Sequence, residues 1–154
     1  MAGAGFYPIH TDELRLGADG TWFADGEPVL HKRLAKLFSR NVRRKPDGSW
    51  EIYIDDQYRA DIVVDDTAFV VVDVDLRPDG SVLLHLSDDQ TEVLDADGLS
   101  AGPGDVLYCR IKDGRERARF LRSAYQHLAP SIESQDGTFL LRVGPRSYRI
   151  HTKG

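Results

Sequence analysis

The sequence has a single cysteine, Cys109, and no apolar run approaching the roughly 20 residues that cross a bilayer. One cysteine excludes an internal disulfide and fits a reducing compartment. In VLYCRI it alternates with Leu107 and Ile111, so a small buried core residue is expected rather than a nucleophile. The longest apolar stretch, AFVVVDVDL, is broken by acids, and no membrane association is expected. The opening MAGAGFYPIHTDELRL has neither a basic n-region nor an apolar h-region, so a bacterial-type cytoplasmic location is expected rather than secretion. HExxH, paired CxxC, GxSxG and GxxxxGK are all missing, which leaves no motif for the commonest metal, acyl-transfer or phosphate-loop chemistries. GAGFYP lacks the third glycine of a dinucleotide loop and has no strand ahead of it, so it reads as a flexible tail over 1–11. DVDLRPDG fails as a calcium loop, because Arg77 stands where the third ligand belongs and the glycine falls two places late. Asp95, Asp97 and Asp105 in TEVLDADGLSAGPGD could hold a hard cation only loosely, and a polar surface loop is the stronger reading. No cofactor and no metal are therefore expected.

What the sequence has in quantity is Asp-Gly. Seven of the 14 glycines follow an aspartate, and four of these pairs lead through Ser or Thr into a strand-like run: TWF, SWEIYI, SVLLHL and TFLLRV. Glycine supplies a positive φ and aspartate bonds its own local backbone, so the pair marks hairpin turns. A three-residue Pro-Asp-Gly loop at Pro78 sets Leu76 against Val82, Val74 against Leu84, Asp73 against His85 and Val72 against Leu86. The same loop at Pro46 sets Val42 against Ile52 and Arg43 against Glu51, while Leu16 would meet Trp22.

Two helices are expected among the hairpins. Leu30, Leu34, Leu37 and Phe38 recur at helical spacing after Pro28, with Lys32, Lys36 and Arg40 stacked four apart. The second is placed after Asp113 as N-cap, with Glu116 three residues on, presenting Ala118, Leu121, Tyr125 and Leu128 before Pro130. Sliding the chain by 89 positions lays AKLFSRNVRRKPDGSWEIYI over AYQHLAPSIESQDGTFLLRV without a gap, matching Ala35 to Ala124, Asp47 to Asp136 and Gly48 to Gly137. The expected fold is α+β, with antiparallel hairpin-rich sheets, two helices and two small similar halves. An N-terminal sub-domain over 12–66 and a C-terminal one over 67–154 follow the tail.

Charge is strongly segregated. Residues 28–45 hold seven bases and no acid, 46–105 hold sixteen acids and two bases, and the whole chain carries a net charge of −5. Lys32, Arg33, Lys36, Arg40, Arg43 and Arg44 thus form a candidate surface for a small anionic ligand or a protein partner. The plainer alternative is a solvated helix face that pairs with the acidic half. Nucleic acid is disfavoured by the net charge and by the lack of aromatics interleaved with these bases. Charge segregation also allows a homo-oligomer. A second, enzymatic candidate is Asp73 beside His85, joined by Asp75, because a carboxylate orients an imidazole for acid–base work. An exposed cross-strand pair is its plainer alternative. His10, His31, His127 and His151 show no spacing that assembles a site.

DGTWFADGEPVLHKRLAKLFSRNVRRKPDGSW resembles the opening block of a bacterial domain-of-unknown-function family, DUF1285. RADIVVDDTAFVVVDVD is similar to that family's next block, and TEV, AGP and LYCRIKDGRERARFLRSAYQHL are similar to its C-terminal part. Trp22, Phe23, Gly26, Pro28, Leu37, Phe38, Arg44, Asp66 and Phe69 match the pattern most directly. The resemblance implies an α+β fold of repeated strand and helix motifs in two similar halves, and a regulatory or signalling role. It brings no catalytic residue and no cofactor, and the ending GPRSYRIHTKG departs from the pattern. The function expected is a non-enzymatic binding or regulatory module for a phosphorylated ligand or acidic partner through Lys32, Lys36, Arg40, Arg43 and Arg44. The alternative is a small hydrolase or isomerase at Asp73 and His85.

Overall fold

A computed structural model describes residues 12–152. The tail over 1–11, with GAGFYP and His10, lies outside the described residues. The chain forms two compact units, the first ending at Ala68 and the second beginning at Phe69.

The first unit comprises β1 (Leu14–Leu16), β2 (Trp22–Ala24), β3 (Glu27–Pro28), α1 (Lys32–Arg40), β4 (Val42–Arg44), β5 (Trp50–Tyr53) and β6 (Arg59–Val64). Its sheet runs β3-β2-β1-β6-β5-β4. Hairpin turns make the neighbouring antiparallel pairs, with Leu16 opposite Trp22 and Val42 opposite Ile52 as their loops dictate. One side of each strand is apolar, so Leu14, Leu16, Trp22, Val42, Ile52 and Ile62 turn to one buried side. Phe38 of α1 joins this core and is fully buried. Its ring meets Trp22 edge to face at 5.4 Å, and the Trp22 Nε1–H donates to Ser39 Oγ at 2.9 Å. The indole is thereby buried with its one donor satisfied.

The second unit comprises β7 (Phe69–Leu76), β8 (Val82–Leu86), β9 (Thr91–Val93), β10 (Ser100–Ala101), β11 (Leu107–Ile111), β12 (Glu116–Phe120), α2 (Arg122–Leu128), β13 (Ile132–Gln135), β14 (Thr138–Val143) and β15 (Arg146–Thr152). Its sheet runs β13-β14-β15-β10-β11-β12-β7-β8-β9. Ala124 and Leu128 of α2 are buried, as are Val71, Leu84, Ile111, Ala118, Leu141 and Tyr148 of the strands. Cys109 is also fully buried, and burial pushes its thiol up to about 12.

The α+β class holds, with two α-helices among the described residues, and four sequence expectations are corrected. The sheets are mixed rather than built of hairpins alone: β1 pairs parallel with β6, β10 with β15, and β12 with β7. The second helix starts at Arg122, because Lys112 and Asp113 both adopt positive φ (55° and 57°) and make a tight hairpin turn instead of a helix cap. Residues 116–120 consequently continue as a strand, with Ala118 and Phe120 buried at period two. Leu30 precedes α1 and is 86% exposed, since His31 caps the helix through Nδ1, which accepts from the Leu34 N–H at 3.2 Å. The β7–β8 hairpin keeps its predicted register at Leu76/Val82, Val74/Leu84 and Asp73/His85, but slips before them so that Val71 faces Leu86. Val72 is the extra residue of a bulge.

Candidate functional site

The basic segment of the first unit splits into two groups. Lys32, Lys36 and Arg40 are exposed at four-residue intervals along α1. Arg44 follows on β4, an edge strand, where its guanidinium lies 4.4 Å from the centroid of Trp50 and bonds Gly48 O at 3.1 Å. Strand alternation turns Arg43 to the opposite side of the sheet. There Arg43 Nε bonds Glu51 at 2.8 Å, and Arg59 bonds the same carboxylate at 2.9 Å from the neighbouring strand. Tyr53 lies between the two guanidiniums, 3.6 Å from Arg43 and 4.9 Å from Arg59, and its hydroxyl reaches Asp56 at 2.6 Å. Burial pushes the Glu51 carboxyl up, but the bonds from Arg43 and Arg59 outweigh it and hold the pKa below the usual range. Glu51, 2% exposed, is therefore a buried anion with two cations closed around it.

The second unit carries two Asp–His pairs next to the bulge. After β12 the chain leaves the sheet for α2, and Ser123 Oγ donates to Val72 O at 2.9 Å. One turn further along α2, His127 Nδ1 meets Asp73 Oδ1 at 2.6 Å. His85 stands opposite Asp73 in register, yet its Nε2 bonds the diagonal Asp75 at 2.8 Å. The predicted Asp73–His85 couple is thus replaced by Asp73–His127 and Asp75–His85, all four side chains at least one-third exposed. The Val74 N–H, then His127, hold the Asp73 carboxyl below its ordinary range despite some burial. His127 was invisible to spacing, because α2 is brought onto β7 by the parallel pairing of β12 with β7, by the Leu121 N–H bond to Val71 O at 3.0 Å and by the Ser123 contact. A carboxylate on Nδ1 fixes that ring with Nε2 directed away, an arrangement that can move protons.

Asp95 of the suspected cation loop is engaged by Arg110 at 3.3 Å. Among the described residues no group of three or more His, Cys, Asp or Glu side chains is arranged to hold a metal, and no helix is long and apolar enough to cross a membrane.

No protein-family model matches the sequence, and a search of curated proteins finds no match. Two solved structures are similar. A DUF1285 family protein from Silicibacter pomeroyi DSS-3 is 22% identical with a TM-score of 0.68, over 97% of this chain and 89% of that one. A second from Shewanella baltica OS155 is 19% identical with a TM-score of 0.56, over 76% of this chain and 90% of that one. The chain accordingly shares its overall fold with these solved DUF1285 family proteins.

Proposed function

We propose that this chain is a non-enzymatic binding or regulatory module whose α1 row takes an acidic protein partner. The observation that carries the reading is the seven-base, acid-free segment over 28–45, of which Lys32, Lys36, Arg40 and Arg44 are exposed on a helix and the edge strand after it. A convex helix row offers point charges to a surface rather than a container for a small molecule, and complementary charge speeds encounter and selects the partner. Arg43 contributes little, being closed on Glu51. The test is fluorescence anisotropy with an acidic peptide over a salt series. Binding should weaken steeply with salt and fall at least tenfold in Lys36→Glu/Arg40→Glu/Arg44→Glu. Equal binding by the variant, or tighter binding of a single-stranded oligonucleotide than of the peptide, overturns the reading.

A second reading, a small hydrolase or isomerase, is favoured by the Asp73–His127 bond, which leaves one imidazole oriented on the surface. Ester and phosphoester turnover that survives in both His127→Ala and His85→Ala removes it.

We also infer that the two units are diverged copies of one motif. What supports this is the strand order: β3-β2-β1-β6-β5-β4 in one, and β12-β11-β10-β15-β14-β13 within the other, each with its first and last strands parallel and its helix after the third. Beyond these six strands, β7, β8 and β9 extend the second sheet. Experimental structures in which the two six-stranded parts fail to superpose strand for strand would remove the inference.

A further inference from the structure

The second unit holds a cleft of about 420 Å³ between the loop from β10 to β11, the end of β12 and α2. Its exposed lining is more polar than apolar. The loop contributes Asp105, and α2 contributes Arg122 and Tyr125, whose spacing puts both on one side of the helix. Arg119 of β12 lines the cleft too, but it is already engaged and takes no part in the site. Asp105 and Arg122 differ from it. Both are exposed, and among the described residues neither side chain is hydrogen-bonded or ion-paired, to the other or to any third group. Each is set by its own element: Asp105 stands in left-handed backbone at φ 62° with its N–H on Gly102 O at 3.1 Å, whereas Arg122 opens α2.

One cleft thus offers one carboxylate and one guanidinium that do not close on each other. In open water both charges are solvated. A body that fills the cleft strips water from both, and each must then receive a partner of opposite sign or be left desolvated at a cost. A simple anion satisfies Arg122 and strands Asp105, and a simple cation does the reverse. A molecule carrying both an ammonium and a carboxylate answers the two together, its carboxylate matching the guanidinium fork. The volume lies near the lower end of the range for small-molecule pockets, which suits a single amino acid.

We propose that this cleft binds a free α-amino acid as its zwitterion, with Arg122 receiving the α-carboxylate and Asp105 the α-ammonium group. It is separate from the α1 row and does not depend on it, since every lining residue belongs to the second unit.

Melting of the full chain with each of the common L-amino acids tests this. At about 10 mM, at least one should raise the melting temperature by about 2 °C or more, as a ligand of millimolar or tighter affinity does. Isothermal titration then compares the strongest binder with its methyl ester and its N-acetyl derivative, each of which keeps only one of the two charges. Both should bind about tenfold more weakly or worse, because each leaves one protein charge unpaired. Arg122→Gln should weaken the amino acid about tenfold while binding the methyl ester as the wild type does, and Asp105→Asn should do the same with respect to the N-acetyl derivative. Asparagine tolerates left-handed backbone as aspartate does, and both side chains are exposed, so both variants should keep the wild-type melting temperature without ligand. Lys36→Glu/Arg40→Glu should bind the amino acid as the wild type does. No shift with any amino acid, equal binding of the blocked derivatives, wild-type binding by either cleft variant, or loss of binding in the α1 variant would each overturn the proposal.

Discussion

At the scale of single residues, two glycines with one turn chemistry make a contrast. Gly48 and Gly80 both close Pro-Asp-Gly loops at φ near 90°. A Cβ on Gly48 meets nothing within 4 Å, whereas one on Gly80 falls 2.7 Å from Val143 O and 2.6 Å from Arg146 Cγ. Gly80 O also accepts the buried Tyr148 hydroxyl at 2.7 Å. Gly48→Ala should therefore cost about 1–2 kcal/mol, the penalty for left-handed backbone alone. Gly80→Ala should cost about 1–3 kcal/mol more for overpacking, and paired denaturant melts measure the difference. Cys109, buried and held far from its thiolate, should ignore a disulfide reagent such as DTNB at pH 8 and release one equivalent only on denaturation. Glu51 makes a pH prediction. Its folded pKa is depressed, so the stability it contributes is fully present above its unfolded value, about 4.3, and is lost as pH falls through the folded value. Glu51→Gln should cost about 1–2 kcal/mol at pH 7, and the gap to wild type should narrow below pH 4.5 or so in acid-unfolding curves. A gap that stays constant to pH 3 would contradict the paired-anion account.

At the scale of elements, α1 begins on a weak cap. An imidazole nitrogen at 3.2 Å is a poorer acceptor for the first turn than a carboxylate, which also meets the helix dipole favourably. His31→Asp should raise stability by about 0.5–1 kcal/mol in thermal or urea melts, and no gain would mean that the first turn of α1 does not limit the unit. Elements joined by short loops were legible in the sequence. The Pro-Asp-Gly turns dictated the pairing of Val42 with Ile52 and of Leu76 with Val82, because turn length fixes register locally. What was not legible required partners far along the chain. Asp113 followed by Glu116 looks like a helix start, yet Lys112 can take left-handed backbone because its side chain is anchored to Asp88 at 2.6 Å and its N–H to Glu92. Ala118 then pairs with Cys109 and Phe69, so tertiary pairing overrode a local signal. The same limit hid His127 from Asp73. Residue spacing has no means of announcing the bulge at Val72, whose carbonyl Ser123 holds, or the β12–β7 pairing that places α2 beside it.

At the scale of the whole molecule, each unit has its own sheet, helix and core, but they differ in size. The fraction of surface buried rises with chain length, and a unit of fewer than 70 residues is marginal alone. A fragment spanning 69–154 should unfold cooperatively by itself, whereas 12–68 should show a shallow transition at lower temperature. Calorimetry of the two fragments checks this, and a fragment 69–154 without a cooperative transition would deny it independence. The parallel pairs have a consequence for synthesis. Arg15 waits for Val63, and Ser100 for His151, each partner roughly fifty residues downstream, so neither sheet can be assembled in the order in which its hairpins are made. Until β15 arrives, β10 presents an open edge and the hairpin of β13 and β14 has no sheet to join. A premature stop before Arg146 should thus yield two unjoined half-sheets rather than a slightly shortened unit, and such a product should be cleared by proteases or aggregate.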